Sequence, residues 1–181
     1  MNPFVFLVDI LFHLYTVVLM LRMILQWTKA DFYNPVSQFI VKITNPLVKP
    51  LRRIIPGFFG IDFATLVLIL VITSIKILTV YGLSGYELNT SLIIITVVLE
   101  TVDLLLNIFL FAIIIQALLS WVNPDPYNPV VALLNSLTWP ILKHFRKLIP
   151  PISGFDISPI FAIITIMFIQ QSIHYLVKAF L

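Results

Sequence analysis

Apolar side chains run almost unbroken through four stretches: Ile10–Trp27, Phe63–Tyr81 with Lys76 inside it, Leu104–Trp121, and Ile157 to about Leu176. About 20 mostly apolar residues in a helix cross about 30 Å of hydrocarbon. Lipid offers no hydrogen-bond partner to bare backbone, so each stretch is expected to be a membrane-spanning helix. The pattern changes between the paired stretches. After Asn34-Pro35, apolar residues fall at Val36, Phe39, Ile40, Ile43 and Leu47, and polar ones at Ser37, Gln38, Lys42 and Asn45, which reads as one apolar stripe at helical spacing. After Asn128-Pro129 the same spacing holds Val130, Leu133, Leu134 and Leu137 against Asn135 and Ser136. Each Asn is placed to cap its helix, with Pro at the first helical position. Pro46 and Pro140 are expected to break or kink these helices. A further turn then carries Arg52-Arg53 or Arg146-Lys147 and stops at Pro56 or Pro150. Each connection is thus an amphipathic helix lying in the membrane interface or dipping into it. The segment from Ser91 to Val102 is apolar but is bounded by Glu100 and Asp103. It reads either as a helical extension of the third span or as an interfacial helix before it.

The chain repeats itself. Shifted by 94 residues it aligns without a gap, and 22 of the 74 pairs from columns 8 to 81 are identical. Among them are Asp9/Asp103, Trp27/Trp121, Asn34/Asn128, Pro35/Pro129, Thr44/Thr138, Pro46/Pro140, Arg52/Arg146, Pro56/Pro150, Gly60/Gly154 and Asp62/Asp156. Residues 1–90 form one repeat and 91–181 the other, each with two spans and an amphipathic loop. Two spans per copy make the repeats parallel rather than inverted. The expected fold is an all-α membrane protein of four transmembrane helices. Asp9 and Trp27 are 18 residues apart, as are Asp103 and Trp121, about 27 Å along a helix. The Asp should mark one interface and the Trp the other, where indole rings prefer to sit.

Composition narrows the class. Apolar residues make up 60% of the chain and charged ones 10%, against about 45–50% and about 25% in soluble domains. A net charge of +3, spread thinly, gives no footprint for nucleic acid. The absence of cysteine removes disulfides, thiolate catalysis and cysteine-held metal. The first stretch lacks a basic leader, carries Asp9 and has no small-x-small site after it, so it is expected to stay as a span. The loops hold eight basic residues: Lys29, Lys42, Lys49, Arg52, Arg53, Lys143, Arg146 and Lys147. The other side holds Lys178 and the amino terminus, so the loops are expected in the cytoplasm and both termini outside. Arg22, five residues before Trp27, is expected to snorkel toward the same cytoplasmic face.

Leu21-Arg22, Gln26-Trp27, Asp31-Phe32-Tyr33-Asn34-Pro35, Pro46-Leu47, Pro50-Leu51-Arg52-Arg53-Ile54-Ile55-Pro56 and Gly60-Ile61-Asp62 resemble the YggT (YlmG) family of integral membrane proteins. The second copy resembles it through Ser120-Trp121, Asn128-Pro129, Pro140, Arg146-Lys147-Leu148-Ile149-Pro150 and Gly154-Phe155-Asp156-Ile157-Ser158-Pro159. There are departures. Ala64-Thr65 stand where the family pattern usually has Ser-Pro, Gln116 replaces the counterpart of Arg22, and Lys147 replaces the second Arg. The resemblance implies a multi-pass protein of the bacterial inner membrane without known enzymatic activity or cofactor. It also implies links with osmotic-shock tolerance and cation uptake, with cell division, and, among plastid relatives, with assembly of a membrane cytochrome.

Two constellations are candidates for a site. The first is Arg52, Arg53 and Asp62, with Arg146, Lys147 and Asp156, flanked by Trp27 and Trp121. In one reading the aspartates cap the second and fourth spans and the arginines pair with them or with lipid phosphate. In the other, these residues dock a membrane-protein partner or an anionic lipid. The second constellation is an intramembrane polar layer of Asp9, His13, Lys76, Asp103, Asn107 and Gln170. Lys76 lies 14 residues past Asp62, about 21 Å along its helix, and should face the bundle and find a carboxylate. That layer could begin an ion path or be a static pairing. No phosphate loop, His-Glu-x-x-His or Gly-x-Ser-x-Gly motif is present, and no metal-like histidine spacing. Two functions stay open: a part in cation or solute movement under osmotic stress, and a scaffold or assembly factor for other membrane proteins. The expected partners are the lipid bilayer and either a membrane protein or a second copy of the chain.

Overall fold

A computed structural model describes residues 2–57, 60–85, 90–122, 125, 128–149 and 156–180. Pro150, Gly154 and the side chain of Trp121 lie outside the described residues. Among those described, the fold is six helices and no strand: α1 (Pro3–Trp27), α2 (Pro35–Arg52), α3 (Phe63–Ser84), α4 (Thr90–Val122), α5 (Pro129–Leu148) and α6 (Ser158–Phe180). Four stretches are long and apolar enough to cross a membrane: Pro3–Trp27, Phe63–Ser84, Leu92–Ser120 and Ser158–Ala179. Two shorter amphipathic helices, α2 and α5, follow the first and third of them.

Local chemistry sets the ends. Asn2 caps α1 by accepting from the Phe4 N–H at 3.0 Å, and Pro3 fills the first helical position. The first span therefore begins seven residues earlier than the apolar run from Ile10 implies. Asp9 sits inside the helix rather than at its edge. At the other end Lys29 takes a left-handed φ of 53°, its N–H bonding Gln26 O while Ala30 N–H bonds Leu25 O. This paired closure satisfies two carbonyls of the last turn. Asn34 and Asn128 cap α2 and α5 through the amides two residues on, each at 2.9 Å.

The helices decide three local points. The helices do not break at Pro46 or Pro140; α2 runs through Pro46 and Pro50, and α5 through Pro140. The residues four positions before the first and last of these, Lys42 and Ser136, are not buried, so the carbonyls that lose a donor lie near the surface. The 91–102 segment is the amino-terminal part of α4, one 33-residue helix about 50 Å long. The packed face of α2 is not the stripe from Val36 to Leu47. It consists of Ser37, Ile40, Thr44 and Val48, while Phe39, Ile43 and Leu47 are exposed.

The chain divides into two compact units, Met1–Leu105 and Leu106–Leu181. In the first, α1 packs chiefly on α3, and α2 lies against both. Its core is made of Leu19, Met20, Ile24, Val48, Ile69 and Ile77. In the second, α5 packs on α6, and Leu142, Ile113 and Ala162 are fully enclosed.

Candidate functional site

In the first unit, three helices meet at one buried carboxylate. Asp62 precedes α3, and its side chain accepts from the Thr65 N–H at 3.2 Å and from the Thr65 hydroxyl at 2.5 Å, capping the helix. Asp62 is 1% exposed. Arg52, at the end of α2, donates from Nε to Asp62 Oδ2 at 3.2 Å and pairs with the same oxygen through Nη2. It also bonds Gln26 Oε1 of α1 at 2.5 Å. Arg22 of α1 adds a second guanidinium, with Nε 3.9 Å from Asp62 Oδ2. Arg22 does not snorkel to the surface. It is buried, and its Nη1 donates to Thr44 Oγ1 at 2.6 Å, Asn45 Oδ1 at 3.0 Å and Val41 O at 3.4 Å. A buried guanidinium needs acceptors, which is why α2 turns Thr44 inward rather than Phe39 and Ile43.

The second unit repeats this arrangement without the second guanidinium. Arg146 Nε donates to Asp156 Oδ2 at 2.8 Å, and Asp156 accepts from the Ser158 N–H at 3.0 Å and its hydroxyl at 2.5 Å. The capping hydroxyl thus comes from two residues past Asp156 and three past Asp62, so the Ala64-Thr65 departure keeps the chemistry. Gln116 stands in for Arg22, donating to Asn135 Oδ1 at 2.8 Å and accepting from Thr138, the counterpart of Thr44. Arg146 also stacks over Trp139, 5.9 Å from the ring centroid.

Burial pushes the Asp62 carboxyl up, but hydrogen bonds from Arg52 and Thr65 and the Arg52 charge outweigh it and hold the group below its ordinary value. Burial likewise raises Asp156, and bonds from Ser158 and Arg146 bring it below its ordinary value. A depressed carboxylate contributes stability that is complete above its unfolded value of about 3.9 and is lost as pH falls through the folded value. Thermal unfolding in detergent is therefore expected to be insensitive to these two groups from pH 7 to about pH 5 and to weaken below about pH 4. Asp62→Asn should flatten that acid limb.

A second polar group lies toward the other end of α3. Lys76, 9% exposed, places its Nζ 2.5 Å from Glu100 Oε2 of α4 and 3.8 Å from Asp9 Oδ1 of α1. Leu68, Ile69 and Ile72 separate it from Asp62. His13 is exposed on α1, and in the second unit Gln170 Nε2 donates to Asn107 Oδ1 at 3.1 Å. Asp103 lies one turn past Glu100 on α4 and is partly buried. Trp27 and Arg53 are exposed at the ends of α1 and α2, and Lys147 is exposed at the end of α5. Among the described residues, no three His, Asp or Glu are placed to hold a metal.

Residues 1–83 and 95–177 each match the family model described as CCB3/YggT. An uncharacterized protein of Pseudomonas aeruginosa is 44% identical over 172 residues, spanning 92% of this chain and 86% of that protein. The uncharacterized protein YggT of Escherichia coli K12 is 33% identical over 179 residues, 99% of this chain and 93% of its own. The Guillardia theta protein ycf19 is 39% identical over 67 residues, 36% of this chain and 74% of that protein, about one repeat. No solved structure matches the chain. With the family model matching both halves and four helices apolar enough to span, the chain is a membrane protein belonging to the CCB3/YggT family.

Proposed function

We propose that this protein is a non-catalytic scaffold or assembly factor of the bacterial inner membrane, presenting its loop faces to another membrane protein. The observation that carries this is the pair of exposed apolar positions bracketing α2. Tyr33 is 83% exposed, with Phe32 edge-on to it, and Ile54 is 82% exposed beside Arg53. Large exposed apolar groups next to charge mark interaction surfaces. The buried ionisable groups are tied to charged partners nearer the surface, Asp62 to Arg52 and Lys76 to Glu100, as in a rigid support. The other reading, a direct part in cation movement during osmotic stress, draws on the charged group of Lys76, Glu100 and Asp9.

Both loops face the cytoplasm and both termini lie outside in this proposal, because eight of the eleven basic residues fall in the loops. A reporter fused after Leu181 that is active only outside the cytoplasm should be active, and one active only inside should be silent. A photo-crosslinking residue at Tyr33 or Ile54, introduced in cells, should give discrete adducts with a membrane protein. The same residue at Leu14, on the exposed apolar face of α1, should give lipid adducts alone. Identical patterns at Tyr33, Ile54 and Leu14 would overturn the scaffold reading.

A further inference from the structure

α2 has three faces where an amphipathic helix needs two. The packed face is Ser37, Ile40, Thr44 and Val48. About a third of a turn to one side, Phe39, Ile43 and Leu47 are exposed; about a third of a turn to the other, Lys42 and Lys49 are exposed. The packed face is fixed by Arg22, which bonds Val41, Thr44 and Asn45 at the middle of α2. Arg22 is five residues before Trp27, so α2 is held about 7.5 Å inward of the indole level. Interfacial helices bury their apolar face by about 5–10 Å. The second repeat does not share this design. Leu133 and Leu137, the counterparts of Phe39 and Ile43, are buried at 8% and 3%, and Ser136 stands where Lys42 does.

We propose that α2, and not its repeat counterpart α5, is a binding site for acidic phospholipid. Phe39, Ile43 and Leu47 enter the boundary between headgroups and acyl chains, and Lys42 and Lys49 hold the lipid phosphates. Charge complementarity selects the occupant: an apolar face beside two ammonium groups fits an anionic headgroup with its own acyl chains. The site stands apart from the scaffold reading, which concerns Tyr33 and Ile54 beyond the helix ends.

The test is native mass spectrometry of the full-length protein offered equal phosphatidylglycerol and phosphatidylcholine. The parent should retain phosphatidylglycerol preferentially, and inorganic phosphate should weaken that preference no more than sodium chloride of the same ionic strength. Lys42→Gln with Lys49→Gln should lower phosphatidylglycerol affinity by about 30-fold, the effect of two basic residues near a charged surface. Both side chains are exposed and outside the Arg22 network, so the melting curve in neutral lipid should be unchanged. Lys143→Gln on α5 should leave the preference intact. High salt applied to the parent should weaken it without any substitution. Equal retention of both lipids by the parent, an unaltered preference in the double variant, displacement by inorganic phosphate beyond that by sodium chloride of equal ionic strength, or an equal loss from Lys143→Gln would each overturn the proposal.

Discussion

Asp62→Asn is expected to cost about 3–5 kcal/mol of stability, the loss typical of stranding buried charges. Asparagine can still cap α3, since its carbonyl can accept from the Thr65 amide as the carboxylate does. What it removes is the negative charge between Arg52 and Arg22, and Arg22 is 5% exposed, so bulk solvent screens it little. Asp156→Asn is expected to cost about 1 kcal/mol, because its pair with Arg146 is partly solvated. The exposures are 35% for Arg146 and 23% for Asp156. No second guanidinium stands behind that pair, the neutral Gln116 occupying the place of Arg22. Melting temperatures of the two variants in one detergent measure the difference. Equal losses would mean that the repeats carry equivalent networks and that Arg22 adds nothing.

Lys76→Met should cost about 3 kcal/mol, the low end of the range for breaking a buried pair. The low end applies because Glu100 and Asp9 keep 38% and 40% of their side-chain surface while Lys76 keeps 11%. Methionine matches the apolar stem of lysine, so packing is conserved and the loss reports charge. Without the ammonium, two carboxylates face each other at the end of a largely apolar bundle. Lys76→Met combined with Glu100→Gln should therefore be more stable than Lys76→Met alone. Chemical denaturation of the parent, of each single variant and of the double variant forms the cycle. A double variant less stable than the single would show that the ion pair does not hold α3 to α4.

The spans and the duplication are legible in the sequence because each rests on many residues: long apolar runs, and 22 identities in one ungapped register. The joining of Arg52 to Asp62 and of Arg146 to Asp156 has a visible signal, a ten-residue spacing that occurs twice. The role of Arg22 is not legible. An arginine five residues from an interfacial tryptophan reads as a snorkelling side chain, and only the packed position of Thr44 reveals its partner. The clue was the identity of Thr44 and Thr138 across the repeat, which has no meaning until α1 and α2 are brought together. The face that α2 packs on its neighbours is not legible for the same reason. Hydrophobic periodicity finds the apolar side of a helix, but a buried charge decided which side packs. Pro46 signals a break or a kink, and the break is absent because a missing donor costs most where the freed carbonyl is enclosed, whereas Lys42 lies at the surface. The pairing of Lys76 with a carboxylate is legible from its depth and charge, since a lone ammonium there is costly, but depth alone does not say that His13 faces outward.

The scaffold proposal requires that the protein support other membrane proteins without itself carrying cations. Purified full-length protein in liposomes, with potassium and sodium fluxes followed separately under an osmotic step, tests it most directly. The account predicts fluxes equal to those of protein-free liposomes, with Lys76→Met and the parent alike. A potassium or sodium flux well above the protein-free level that falls when Lys76 or Glu100 is replaced would contradict it.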